Sequence, residues 1–353
     1  MTDVFTHPWL GGLFDDEEIR QVLSAENSLS EMIAVENAYT EALAETGIVH
    51  KADAAEVRKH LSKAAVGITA LRDGTAKDGL VIPTLVSELA KGLPDRARKA
   101  LHKGMTSQDV IDTALVLSLR RVLEIFEQRL THVLSQLSRL DSSFGQNDLI
   151  GRTRMQAALP IQVADRLNGW RAPFESCTNR YPGIRKNLLR LQLGGAVGDR
   201  TPWGEHADQV ANIMAVKLDL ENAAPWHTDR TAIADFTNWL SLLTGGAGKI
   251  GQDLMLMSQQ GIDEVTLSGG GSSSAMPHKQ NPIQAEVLVA LAQYNAIQLS
   301  GMHMASHHEQ ERSGTAWTLE WMILPQMVMA TGSALMTVSK LLANIERLGT
   351  ASG

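Results

Sequence analysis

One cysteine, Cys177, occurs in 353 residues. No intrachain disulfide can form, and a reducing, cytoplasmic setting is expected. The chain also lacks any Lys/Arg-rich run, and its net charge of −7 argues against bulk nucleic-acid binding. An anionic ligand would have to be held by a few local cations. No apolar run reaches bilayer-spanning length, and MTDVFTHPWLGG lacks the basic-then-apolar layout of a signal peptide. Neither a membrane partner nor a leader is expected. Strand-like alternation and internal repeats are absent as well. What is present is an ordinary balance, 44% hydrophobic with a mean hydropathy of −0.10. That length can bury a sizeable core and form roughly two or three domains.

The pattern that does recur is helical. Asp15 and Asp16 can cap a first long helix ending near Gly47, with acidic residues at the positive end of the helix dipole. From Ser107 to Leu140, the apolar residues Ile111, Leu115, Leu119, Val122, Phe126, Leu130, Val133, Leu137 and Leu140 form a heptad-like stripe. That predicts a helix of roughly 50 Å at about 1.5 Å per residue. Further helices are expected approximately over 158–192, 205–222, 229–260, 281–311 and 318–346. Several, such as AEVLVALAQYNAIQL, are apolar on more than one face, which calls for burial on both sides, as at a subunit interface. The expected fold is all-α, with a smaller N-terminal helical domain over 1–104 and a long-helix bundle over 105–353.

Within this frame the stretch GGGSSSAMPHKQNPIQAE, Gly269 to Glu286, stands apart. Consecutive glycines place Ser272, Ser273 and Ser274 on a loop with wide conformational freedom. Pro277 and Pro282 stiffen the chain beyond the serines, Pro282 suiting the first turn of a helix. Gly/Ser tracts are often linkers; a loop that carries hydroxyls and an ammonium group and can close over a ligand suits an enzyme. SSAMPHKQNP, Ser273 to Pro282, resembles the signature loop of the fumarase/aspartase superfamily. Its members add or remove a group beside a carboxylate, through an intermediate with charge spread into that carboxylate. The resemblance covers nearly the whole chain. It implies a homotetramer whose sites take motifs from three chains, with no cofactor and no metal. It also implies a further small C-terminal helical domain, which the sequence to Gly353 does not include.

Three other segments carry chemistry. HKGMTSQDVIDTA, His102 to Ala114, feeds the heptad helix. Thr106, Ser107 and Gln108 put donors at a helix N-terminus, where free N–H groups favour an anion. Capping alone accounts for Thr106 or Ser107, but not for His102 or Gln108; in the superfamily this region binds a substrate carboxylate. GRTRMQAALPI, Gly151 to Ile161, resembles the GRTHxQ element at the mouth of the superfamily site, with one departure. Arg154 stands where the adenylosuccinate and argininosuccinate lyases carry a histidine that pairs with a glutamate, here matched by Glu286. Arginine keeps its proton at any working pH, so Arg154 cannot shuttle one; it can pair with Glu286 or clamp a carboxylate. EQERSGTAWTLEWMILPQ, Glu309 to Gln326, resembles the corresponding part of the 3-carboxy-cis,cis-muconate cycloisomerases. Arg312 and Ser313 are candidate anion contacts there, while Trp317 and Trp321 fall at helical spacing and read as packing.

The departure at Arg154 bears on the reaction. Expelling an amine or ureido nitrogen benefits from a general acid. A lactone-forming or lactone-opening reaction has a carboxylate as its leaving group, with a solution pKa near about 4, and needs no such acid. The resemblance thus implies a cycloisomerase acting on 3-carboxy-cis,cis-muconate in protocatechuate breakdown. A fumarate-releasing C–N lyase and a sulfomuconate cycloisomerase remain as alternatives. On the superfamily pattern Ser273 is the expected proton-transfer residue beside Ser274, Lys279 stabilises the developing charge, and Met276 and Asn281 line the site. Arg152, Thr153 and Arg154 are expected to hold carboxylates with Thr106, Ser107, Gln108 and Arg312, and a small polycarboxylate is the expected partner.

Other features read as structural. GGAVG at Gly194–Gly198 and GGAGKIG at Gly245–Gly251 lack the strand or the Ser/Thr of nucleotide loops and read as turns or close helix packing. His303 and His307 are at helical spacing, but no third metal ligand is evident. The methionines are core filler.

Overall fold

A computed structural model describes residues 3–269, 271–272 and 280–351. Helices dominate. The N-terminal part runs through α1 (Gly11–Phe14), α2 (Glu17–Val22), α3 (Ala25–Glu45), α4 (Lys51–Leu61), α5 (Ile68–Asp78), α6 (Ile82–Ala90) and α7 (Asp95–Arg98). The long α8 (Ser107–Phe144) leads to a hairpin of β1 (Asp148–Thr153) and β2 (Gln156–Gln162). Then come α9 (Val163–Leu188), α10 (Ala207–Leu218) and α11 (Thr231–Met257), followed by β3 (Val265–Leu267), β4 (Gly271–Ser272) and β5 (Gln280–Asn281). The chain closes with α12 (Ile283–Met304), α13 (Gly314–Ala343) and β6 (Ile345–Leu348).

The expected first helix is in fact two. Asp16 caps α2, accepting from Ile19 N–H at 3.2 Å, but the chain turns at Leu23 and Ser24 caps α3 afresh, accepting from Asn27 N–H at 3.1 Å. The hairpin is the larger correction. Residues 158–162, expected to begin a helix, are strand, with Ile150 opposite Pro160 and Leu149 opposite Ile161. Nearly every residue of β2 is exposed, so no buried face imposes the alternation that marks a strand in sequence.

The apolar interior falls into two clusters. One gathers Val35, Tyr39 and Leu43 of α3 with Leu85 and Leu89 of α6, and also takes in Val210 and Met214 of α10, far later in the chain. The other is the long-helix bundle, where α8 contributes Leu119, Val122, Phe126, Leu130, Val133, Leu137 and Leu140 against Trp170 and Phe174 of α9 and Phe236 and Trp239 of α11. Each such side chain, fully buried, contributes about 1.5–3 kcal/mol. The glycines of α11 permit its close approach to α12: a Cβ at Gly251 would fall 2.5 Å from Ala285 O, and one at Gly248 2.5 Å from Ala292 Cβ. The helix α13 corrects another expectation, since its 30 residues are long and apolar enough to cross a membrane; 67% of its most apolar window is buried inside the fold.

A buried ion pair ties α2 to this bundle. Asp16 is fully buried; Arg129 of α8 donates to it twice, once at 3.1 Å from Nη2, and also to Gly332 O at 3.1 Å and Glu18 Oε2 at 2.7 Å. Removing one partner of a buried pair strands the other. Asp16→Ala is expected to cost about 3 kcal/mol, the lower end of the range for buried pairs because Glu18 and the Gly332 carbonyl still hold Arg129. Denaturant unfolding should show an earlier midpoint at unchanged slope.

Candidate active site

A single buried carboxylate fixes the start of α8. Thr106 is the N-cap and forms a capping box with Asp109, its own N–H donating to Asp109 Oδ2 at 3.0 Å. The same carboxylate accepts from the backbone N–H of Gly194 at 2.8 Å and Gly195 at 2.9 Å, and faces His227 Nε2 at 3.0 Å. Asp109 is wholly buried, and these donors take the place of its water. The Gly194–Gly198 run is thereby clamped to the helix start. Gly195 and Gly198 have φ of +73° and +82°, and a Cβ at Gly194 would fall 2.7 Å from His227 Cε1, so turn and close approach both require glycine. Arg312 closes the loop from the other side, donating to Ala196 O at 2.9 Å.

One helical turn inward lies a second anchor. Asp112 accepts from Arg230 Nη1 at 2.7 Å and Nη2 at 3.2 Å, from Gln108 Nε2 at 3.0 Å and from Trp317 Nε1 at 3.2 Å. Arg230 also donates to both oxygens of Glu320, at 2.5 and 2.9 Å, and lies 4.8 Å from the centre of the Trp226 ring. Burial pushes the Glu320 carboxyl up against the pull of Arg230. His308, nearby, is held below the ordinary histidine range by burial and then by Arg230.

Six of the expected contact residues gather at this end: His102, Thr106, Ser107, Gln108, Arg312 and Ser313. Their roles in the fold differ. Gln108 is buried, its amide committed to Asp112 and to His227 O at 2.9 Å. Ser313 is buried too and caps α13, accepting from Ala316 N–H at 3.0 Å. The Ser107 side chain is half-buried and has no partner among the described residues. Trp317, read as packing, also donates to Asp112.

The remaining expected residues that the structure describes lie at the other end of the bundle. Arg154 and Met155 form the hairpin tip with φ of +52° and +66°, a conformation that favours Asn-Gly and is strained for longer side chains. Arg152 pairs with Glu264, just before β3. Arg152, Arg154, Arg166 and Lys249 line a cavity of about 500 Å³ together with Asp253 and Glu264. Lys249 pairs with Asp253, while Arg154 and Arg166 have no acidic partner among the described residues. Thr153 is exposed beside them, Asn281 is half-buried on β5, and Glu286 is exposed in the first turn of α12. Among the described residues, no ion pair joins Glu286 to Arg154. Ser273, Ser274, Met276 and Lys279 lie outside the described residues. Among the described residues, no group of three or more His, Cys, Asp or Glu is placed to hold a metal ion.

The 38 residues of α8 separate the two groups, a span of roughly 57 Å at about 1.5 Å per residue. Within one chain they cannot meet on one small molecule.

Residues 12–294 match the lyase family. The chain belongs to this family, within the fumarase/aspartase superfamily. It is 33% identical over 353 residues to a 3-carboxy-cis,cis-muconate cycloisomerase of Pseudomonas aeruginosa, covering 98% of this chain and 77% of that one. Trans-aconitate decarboxylase 1 of Mycosarcoma maydis is 29% identical over 92% of this chain and 67% of its own. The crystal structure of the 3-carboxy-cis,cis-muconate lactonizing enzyme from Pseudomonas putida superposes with a TM-score of 0.90 at 32% identity, covering 97% of this chain and 77% of that one. The chain therefore spans about three quarters of the length of these cycloisomerase relatives. As a member of this lyase family it is an enzyme of the lyase and cycloisomerase type, built on the all-α fold of its relatives.

Several residues that shape the site were not singled out from sequence. Asp109 and Asp112 sit within TSQDVID, and His227 and Arg230 within PWHTDR, Pro225 to Arg230. Two acids one turn apart, just inside a Thr N-cap, could have signalled buried anchors. Glu36 and Arg166 carry no local signature, while Glu320 lies within the quoted EQERSGTAWTLEWMILPQ stretch. Asp109→Ala should leave the Gly194, Gly195 and Thr106 N–H groups without their acceptor, at a cost of about 3 kcal/mol. Amide exchange measured by mass spectrometry should speed up over 193–198, and not over the hairpin.

Proposed function

We propose that this enzyme converts 3-carboxy-cis,cis-muconate to a carboxymuconolactone, in the breakdown of protocatechuate. The observation that carries the reading is Arg154, a permanently charged clamp on a cation-lined cavity where related C–N lyases place a proton-shuttling histidine. One substrate carboxylate attacks the conjugated diene and forms the lactone C–O bond. The displaced electron pair moves to the carbon beside a second carboxylate and spreads into it as an enediolate. A proton then reaches that carbon from Ser273, and Lys279 with neighbouring amides stabilises the charge, each well-aimed donor contributing about 3–4 kcal/mol. No leaving-group acid is needed, because the leaving group of the reverse step is a carboxylate.

The two residue groups at opposite ends of α8 are joined by another copy of the chain running antiparallel, in a homotetramer. Exposed apolar side chains support this: Ile297 and Met304 of α12 are 71% and 64% exposed, and Met322 of α13 67%, on helices whose apolar residues face more than one way. The α8 start and Arg312 then hold one carboxylate, and Arg152, Thr153, Arg154, Asn281 and Glu286 border the reacting end.

Incubation with 3-carboxy-cis,cis-muconate should bleach the diene absorbance and yield a lactone. Ser273→Ala should lower kcat by at least ~100-fold, on the scale of losing a positioned proton-transfer group. Arg154→His should raise KM more than it lowers kcat. Fumarate released from adenylosuccinate, with muconate untouched, would overturn the assignment.

A further inference from the structure

Three imidazoles surround the start of α8, and they differ in what they leave free. His227 is 4% exposed, with Nε2 on Asp109 and Nδ1 enclosed without a partner among the described residues. Neither ring nitrogen of the half-buried His308 has a hydrogen-bond partner among the described residues. His102 alone of the three combines a bonded nitrogen with an open one. Its Nδ1–H donates to Glu36 Oε1 at 2.5 Å, and its side chain is 17% exposed while that of Glu36 is wholly buried. Nε2 has no partner among the described residues.

Glu36 belongs to α3, and its side chain is wholly buried. Its second oxygen, Oε2, is enclosed and unpartnered among the described residues, a costly arrangement unless the first faces a cation. The turn it grips is itself held out of the ordinary. His102 has φ +54°, unfavourable for a residue with a Cβ. One turn along α3, the Tyr39 hydroxyl donates to Lys103 O and accepts from Trp203 Nε1 at 2.7 Å. The helix thus fastens both the imidazole and the carbonyl next to it in the chain.

We propose that Glu36 is a positioning residue that holds His102 as an imidazolium, presenting Nε2–H to a carboxylate of the substrate bound at the start of α8. This rests on reading that end of the bundle as a carboxylate-binding half-site. The bond from Nδ1–H to Glu36 fixes the ring plane; a neutral ring would then leave Nε2 an acceptor, and only the imidazolium makes that free edge a donor. A doubly donating imidazolium gives a charge-assisted bond, stronger than a neutral one. The groups facing His102 agree: Glu36 and the neutral Tyr39 from α3, Asp109 from α8, and Lys103 next in the chain, exposed and turned to Ile48 O at 3.4 Å. Burial works to lower the His102 pKa, but the Glu36 bond and charge and then Asp109 outweigh it and raise it above the ordinary histidine value. A raised histidine pKa keeps the cation to higher pH, and its contribution is lost as pH rises through the folded-state value.

The test is calorimetric binding of tricarballylate, an unreactive tricarboxylate, by the full chain across pH, for wild type, Glu36→Gln and His102→Gln. Wild-type affinity should fall only above the ordinary histidine range. Glu36→Gln should move that fall to lower pH and weaken binding about ten-fold between the two midpoints. His102→Gln should bind weakly with no such step. If Glu36→Gln lowers thermal stability but leaves the midpoint where it was, Glu36 is only a staple and the proposal is overturned. Binding with a Glu36-dependent midpoint but no consumption of muconate would support this proposal while removing the proposed reaction. Absence of tricarballylate binding at every pH would overturn this proposal and the carboxylate half-site it rests on, while consumption of muconate still decides the reaction.

Discussion

The length of α8 sets the terms for everything else in this molecule. Its start carries the TSQD segment, and its end delivers the chain to the GRTR hairpin, so two chemically endowed regions are held apart by a rigid rod. Other bundle helices reinforce the separation. Arg230 at the start of α11 and Trp317 near the start of α13 meet Asp112 at one end. The C-terminal part of α11 and the first turns of α12 meet beside the hairpin at the other. A small polycarboxylate spans only a fraction of that length. On the proposed reading these two ends are half-sites, and antiparallel association of identical rods is the simplest way to superimpose the end of one on the start of another.

The two ends are built on different physics. At the α8 start, buried acids organise backbone and cations: Asp109 gathers main-chain N–H groups, Asp112 and Glu320 share Arg230, and Glu36 holds His102. Each pairing offsets the cost of a desolvated carboxylate and fixes geometry in return. At the hairpin end, guanidinium groups outnumber their partners, and two of them face the cavity without an acid. One end is preorganised by buried ion pairs, and the other is left charged for something to neutralise. This division suits a reaction in which one carboxylate is held still while charge develops near another.

Much of this was legible in the residues. The stripe from Leu119 to Leu140 gave α8 because a buried helix face repeats along the chain, and the doubly apolar α12 showed in its composition. The hairpin was hidden, since a strand exposed on both faces leaves no alternation to read, and residues 158–162 were expected to begin a helix. The break at Leu23 and Ser24 was masked by good helix formers on both sides. TSQD and GRTR were recognisable as chemistry, but which atoms they spend on the fold was not. Gln108 turns inward because a partner far away in sequence, the His227 carbonyl, awaits it, while Ser313 is spent on capping α13. Glu36 was invisible for the same reason, as its partner lies 66 positions on.

The central claim is that the catalytic site is completed between copies, and subunit complementation tests it most directly. Arg312→Ala disables the α8-start end, and Lys279→Ala removes the proposed charge-stabilising ammonium of the SSAMPHKQNP segment. Each variant alone should turn over no 3-carboxy-cis,cis-muconate. Co-expressed and purified as mixed oligomers, they should regain activity, because some sites would draw both intact ends from different chains. Mixed oligomers as inactive as either parent would contradict the account and place the whole site within one chain.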